Sequence, residues 1–147
     1  MYEISTSIEI ESTPDDVWAI LVDFSAYTKW NPFILSIKGT AKKSERLKVL
    51  IKPADGKPMA FRPVVLVATP SKELRWLGRF LFPGLFDGEH YLRIEPISSN
   101  RVNFIQGERF SGLLVPFARS SLDNGTRRGF IAMNQALKDL LENRKNP

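Results

Sequence analysis

The chain has 147 residues and a mass of 16.7 kDa, 43% of them hydrophobic and 25% charged, a balance that suits one globular domain and excludes a disordered chain. It has no cysteine and a single histidine, His90, which excludes disulfides, thiol nucleophiles and most transition-metal sites. The net charge is +5, and ten Phe, three Trp and three Tyr give the chain enough rings to line either a packed interior or a hollow one.

In chain order, Ile4, Ile8 and Ile10 alternate with Glu and Ser, the period of a half-buried strand. Thr13-Pro14-Asp15-Asp16 opens a helix, with Thr13 as N-cap, Pro14 at the first helical position and acids on the positive end of the dipole. Ser25 to Trp30 forms a second short helix, which Asn31-Pro32 ends. Strands follow over 33–37 and 47–51. The stretch Met59 to Thr69 is strand-like, and Pro63 demotes it to an edge or a bulge. Further strands cover 74–80, 86–94 and 102–110, with turns at Pro83-Gly84 and Ser98-Ser99-Asn100. From Ser120 to Lys145, Leu122, Thr126, Phe130, Met133, Leu137 and Leu140 recur at helical spacing. Gly125 and Gly129 cost this helix about 1 kcal/mol each relative to alanine, so they serve either close backbone packing or empty volume. The whole is an α+β domain over residues 1–147. About six or seven antiparallel strands form a curved sheet, wrapped around one long C-terminal helix, with two short helices after the first strand.

That order resembles the helix-grip fold of the START-like (SRPBCC) superfamily, which includes the polyketide cyclase/dehydrase family and lipid-transfer START domains. The stretches that carry the resemblance are Ser12-Thr13-Pro14-Asp15-Asp16-Val17-Trp18 with Leu21 and Asp23, then Tyr27 and Trp30-Asn31-Pro32-Phe33. Gly88-Glu89-His90, Phe110-Ser111-Gly112-Leu113-Leu114-Val115-Pro116 and Met133-Asn134-Gln135-Ala136-Leu137-Lys138 extend it along the chain. The resemblance implies a deep hydrophobic cavity between the sheet and the C-terminal helix.

Strand alternation assigns the faces independently of the resemblance. Arg46, Lys48, Lys52, Arg75, Arg79, Arg93, Arg101 and Arg109 point outward. Trp76, Phe80, Phe86, His90, Leu92, Phe104, Gln106, Glu108 and Phe110 point inward, toward Phe130, Met133 and Leu137. These twelve inward residues are the expected ligand-binding set. Three of them are polar, and an unpaired buried polar group costs about 1–3 kcal/mol, so His90, Gln106 and Glu108 need each other, the wet rim or a ligand. They are also the catalytic candidates: His90 as base, Glu108 orienting it, and Gln106 holding an enolate oxygen.

The outward basic rows carry no interleaved rings, which argues against nucleic acid as a partner. Phe82-Pro83-Gly84-Leu85-Phe86 reads as a pocket lid or as an apolar tip for transient docking on an anionic membrane. No metal cluster or cofactor motif is present, and none is expected. Without a secretory segment or an apolar run of about 20 residues, the expectation is a cytoplasmic protein with no integral membrane segment. Three functions fit. The first is a carrier or binder of a hydrophobic small molecule or lipid. The second is a polyketide cyclase or dehydratase using His90 and Glu108, and the third is a protein-interaction module with a filled core.

Overall fold

The computed structural model describes residues 1–144; Lys145, the expected last helical residue, lies outside them. The first strand, β1 (Tyr2–Ile10), buries Ile4 and Ile10 and exposes Glu3, Ser5, Ser7 and Glu9. Thr13 caps α1 (Pro14–Val22), its hydroxyl accepting the Asp16 N–H at 3.1 Å. A 3-10 turn at Phe24–Ala26 leads into α2 (Tyr27–Trp30). Tyr27 is fully buried and donates to the Leu21 carbonyl at 2.5 Å; burial pushes its hydroxyl pKa far above the ordinary value. Asn31 ends the helix, as the following Pro32 requires. Its Oδ1 accepts the N–H groups of Phe33 and Ile34 at 2.9 and 2.8 Å, which turns the chain into the first sheet.

Among the described residues eight strands form two antiparallel sheets. The smaller holds β2 (Ile34–Lys38), β3 (Lys48–Ile51) and β4 (Met59–Phe61), in that order. The larger is ordered β1-β8-β7-β6-β5, with β5 (Val64–Thr69), β6 (Glu73–Phe80), β7 (Phe86–Ser98) and β8 (Arg101–Ser111). The expected strand over 59–69 is thus two strands in different sheets. Pro63 lies at the break, having no N–H to give to a ladder, while its carbonyl accepts the Leu47 N–H at 2.8 Å. Arg46 bridges Val64, and Val65 exchanges backbone hydrogen bonds with Ser44 and Glu45, so the two sheets stay stitched at this point.

The C-terminal helix begins at Val115, five residues before the expected Ser120. α3 (Val115–Ser121), a π-helical segment (Leu122–Thr126) and α4 (Arg127–Asn143) run on without a gap. Pro116 in the first turn is the start signal. Within the π segment the Gly125 carbonyl accepts the Ala54 N–H at 3.1 Å, a bond made outside the helix. Phe130, Met133 and Leu137 of α4 are fully buried in the same core as Ile4, Leu92 and Phe104. Among the described residues no helix is long and apolar enough to cross a membrane.

On the outer face of the larger sheet, Arg75 pairs with Glu73 at 3.2 Å and Glu89 at 2.8 Å. The Tyr91 ring also lies there, under the guanidinium groups of Arg75 and Arg93 at 4.9 and 5.0 Å. Alternation puts Tyr91 among the basic rows, but the ring is buried and presents no open stacking surface.

Candidate functional site

A cavity of about 120 Å³ opens between the two sheets, beside the π segment of the long helix. Phe33, Ile34, Val49, Ile51, Met59 and Phe61 form the wall on the smaller sheet. Trp76, Phe80, Phe86, Phe110 and His90 face them from the larger sheet, with Leu122 and Thr126 from the helix. Two glycines make the room. Gly78 and Gly88 are register partners on β6 and β7 and both border the cavity. A Cβ at Gly78 would meet nothing nearer than 3.8 Å, whereas one at Gly88 would collide with Glu108 Oε2. The Glu108 carboxylate therefore lies where the side chain missing from Gly88 would have stood.

His90 is held on every side. Trp76 stacks on it at 5.0 Å and 13°, Phe33 at 6.5 Å and 20°, and Phe130 meets it edge-on at 5.1 Å. Its Nδ1 lies 3.2 Å from Glu108 Oε1 and its Nε2 lies 3.0 Å from Gln106 Oε1. Gln106 Nε2 donates to Asn134 Oδ1 at 2.7 Å, Asn134 Nδ2 donates to Thr6 Oγ1 at 2.8 Å, and the Thr6 hydroxyl donates to the Gln106 carbonyl at 2.8 Å. With the amides in this orientation, His90 Nε2 is the N–H donor to Gln106. The Nδ1–Glu108 contact then needs one proton more, carried by either partner. The whole chain of polar groups is satisfied internally, as a buried network must be.

This geometry limits the chemistry. Both His90 nitrogens are engaged by Glu108 and Gln106 and Trp76 stacks on the ring, so neither nitrogen is left to meet a bound molecule at the cavity wall. Glu108 is the carboxyl at the cavity, with 18% of its side chain exposed. It can accept a hydrogen bond from a bound molecule or pass a proton to one. Arg79 borders the same space near Phe80 and lies 3.9 Å from Asp87. Its guanidinium turns to Asp87 on the outer face, as alternation assigned it. Among the described residues no cluster of His, Asp and Glu is placed to hold a metal ion.

Of the twelve residues expected to line the space, Trp76, Phe80, Phe86, His90, Glu108 and Phe110 do so. Leu92, Phe104, Gln106, Phe130, Met133 and Leu137 do not; each is fully buried in the half of the interior that α4 fills. Gln106 turns to His90 and Asn134, away from any position where it could hold an enolate oxygen. The reason lies in Gly129, where a Cβ would collide with the Phe33 ring. Gly129 thus lets the helix backbone close on the Phe33 ring, and Gly125 lets it close on Pro53, so both serve close packing.

Alternation missed the wall on the smaller sheet. Val49 and Ile51 have the right period, but a period cannot tell a continuation of one sheet from an opposing surface. Asn134, buried beside Met133 and bonded to Gln106 and Thr6, carries no signal in the helical spacing.

A model of the family described as polyketide cyclase/dehydrase and lipid transport matches residues 1–142. Among curated proteins, none matches the chain in sequence. Several solved structures share the fold. The Zhui aromatase/cyclase from a Streptomyces species aligns with a TM-score of 0.80 at 14% identity, over 99% of this chain and 96% of that one. A START superfamily protein from Mycobacterium smegmatis aligns with a TM-score of 0.75 at 16% identity, over 98% and 99%. The di-domain ARO/CYC BexL aligns with a TM-score of 0.74 at 16% identity, over all of this chain and 48% of that one. At such identities the likeness is one of fold.

Proposed function

We propose a function from one premise: the chain belongs to the polyketide cyclase/dehydrase and lipid transport family. The cavity binds a compact hydrophobic molecule, one or two rings in size, that carries a hydrogen-bond donor. The observation that carries this reading is the Glu108 carboxylate, set against Gly88 among aromatic walls with one oxygen held by His90. An apolar pocket with one well-placed polar group is the usual form of a small-molecule site. A volume of about 120 Å³ favours a small ring system over a long acyl chain, since drug-sized ligands occupy roughly 300 Å³ or more.

The test is a thermal-shift and Trp-fluorescence panel of small phenols, aromatic amines and fatty acids. Phenols or amines should raise Tm, and Gly78→Leu, which fills the open space beside Gly88, should abolish the shift while the fold persists. If no compound shifts the wild type, or if Gly78→Leu binds as well, the cavity is not the site and the small volume belongs to a filled core.

A second reading, a cyclase or dehydratase, draws support from the Glu108–His90 contact beside the same space. In it Glu108 is the group that takes or gives the proton, with His90 holding it in place. Turnover that survives Glu108→Gln at full rate rules it out.

A further inference from the structure

The polar chain behind the cavity has a direction, and the backbone sets it. A carbonyl oxygen only accepts, a hydroxyl has one proton to give, and a primary amide accepts at one end and donates at the other. The Thr6 hydroxyl gives its proton to the Gln106 carbonyl at 2.8 Å, so toward Asn134 Nδ2 at 2.8 Å it can only accept. Asn134 then turns its oxygen to Gln106 Nε2 at 2.7 Å, and Gln106 turns its oxygen to His90 Nε2 at 3.0 Å. A second carbonyl agrees with the first. Phe130 O lies 3.4 Å from Gln106 Nε2, and the reverse amide orientation would set oxygen against oxygen there. Two fixed acceptors, one on β8 and one on α4, select the same direction.

That direction decides the charge at the cavity. In a reversed chain Gln106 would donate to Nε2, the ring proton would sit on Nδ1, and Glu108 would face it as a carboxylate, leaving the pair negative. In the direction found, Nε2 holds the ring proton, and the 3.2 Å contact between Nδ1 and Glu108 Oε1 closes only with a further proton between them. The pair is then uncharged overall, either imidazole with carboxylic acid or imidazolium with carboxylate. No other charge intervenes: among the described residues lining the cavity the remaining charged group is Arg79, whose guanidinium turns to Asp87 at 3.9 Å. Trp76, Phe33 and Phe130, which pack on the His90 ring, do not titrate.

We propose that Asn134 is a positioning residue for the cavity: through Gln106 it fixes the Nε2–H form of His90, and so makes the site select an uncharged hydrogen-bond donor over an ammonium ion. Asn134 is buried on α4 and does not line the cavity. It acts on Glu108 only through Gln106 and His90. The ligand preference rests on the reading of the cavity as a binding site; the form of the histidine does not.

His90 is the only histidine in the sequence, so long-range proton–nitrogen NMR of the isotope-labelled free protein reads its two ring nitrogens without ambiguity. At neutral pH the wild type should show a protonated Nε2. Asn134→Leu removes the acceptor for Gln106 and lets the amide turn over, so the Nε2 signal should move toward the unprotonated position. Thr6→Val, at a half-buried strand site, should move it the same way. Asn134→Asp, still an acceptor for Gln106, should restore the wild-type signal. An unprotonated Nε2 in the wild type, or a signal that neither Asn134→Leu nor Thr6→Val moves, overturns the proposal. Selection is read by Trp-fluorescence titration with phenol and benzylamine. The wild type should prefer phenol, and Asn134→Leu should shift the ratio of the two Kd values toward benzylamine by roughly tenfold. Equal binding of both by the wild type overturns the selection. Binding of neither sinks the reading of the cavity and the selection with it, while the spectra still decide the positioning.

Discussion

Glu3 shows how one carboxylate on the outer face is tuned by its neighbours. The Tyr91 hydroxyl donates to Glu3 Oε2 at 2.7 Å and Arg109 Nε does so at 3.2 Å. That hydrogen bond from Tyr91, more than the nearby positive charge, holds the carboxyl below its ordinary value of 4.5. A depressed folded value means that the contribution is present above 4.5 and is lost as pH falls through the folded value. Urea unfolding of wild type and Glu3→Gln should therefore show a stability gap at neutral pH that closes in acid; a gap that is flat or widens in acid contradicts the assignment. In the interior, His90, Gln106 and Glu108 are legible as a polar group because all three share an inward parity. Their pairing is not, because it depends on Asn134 and Thr6, which come from other elements.

The long helix carries the second lesson, at the scale of elements. Its apolar spacing predicts a buried face, and Leu122, Thr126, Phe130, Met133 and Leu137 are all buried, while Leu140 is half-buried and Leu141 takes the core position in the last turn. Spacing could not reveal the π segment or the early start at Val115. The π segment has a partner outside the helix, Ala54 for the Gly125 carbonyl, and the early start is marked by Pro116, which is no part of the apolar spacing. The two glycines consequently differ in tolerance. A Cβ at Gly129 collides with a ring lodged between His90 and Phe130, while one at Gly125 would sit 3.2 Å from the Pro53 Cβ. Gly129→Ala should lose about 1–3 kcal/mol through overpacking, against a helix-propensity gain of about 1 kcal/mol. Chemical denaturation that finds Gly129→Ala more stable than wild type would falsify this account of the glycine.

In the molecule as a whole, the interior divides into a filled half and an open half. Phe104 belongs to the filled half, fully buried between the sheet and α4. Phe104→Ala should cost about 3–5 kcal/mol, read from denaturant midpoints, without altering the ligand-induced shift at the cavity. A comparable loss of ligand binding would mean that the two halves are one site.

Period-two and helical spacing by themselves determined the order of elements, the identity of most buried residues and the outward stance of the basic rows. Those properties follow from side-chain direction along a local backbone. The tertiary structure alone decided that the strands part at Pro63 into two facing sheets, and that Gly78, opposite a Gly88 whose place Glu108 takes, leaves one end of the interior open. It also decided that Gly129 against Phe33 closes the other end. The rings first seen as a count thus divide between the two ends and the surface, because whether a ring packs, lines a cavity or stays exposed depends on what approaches it from elsewhere in the chain.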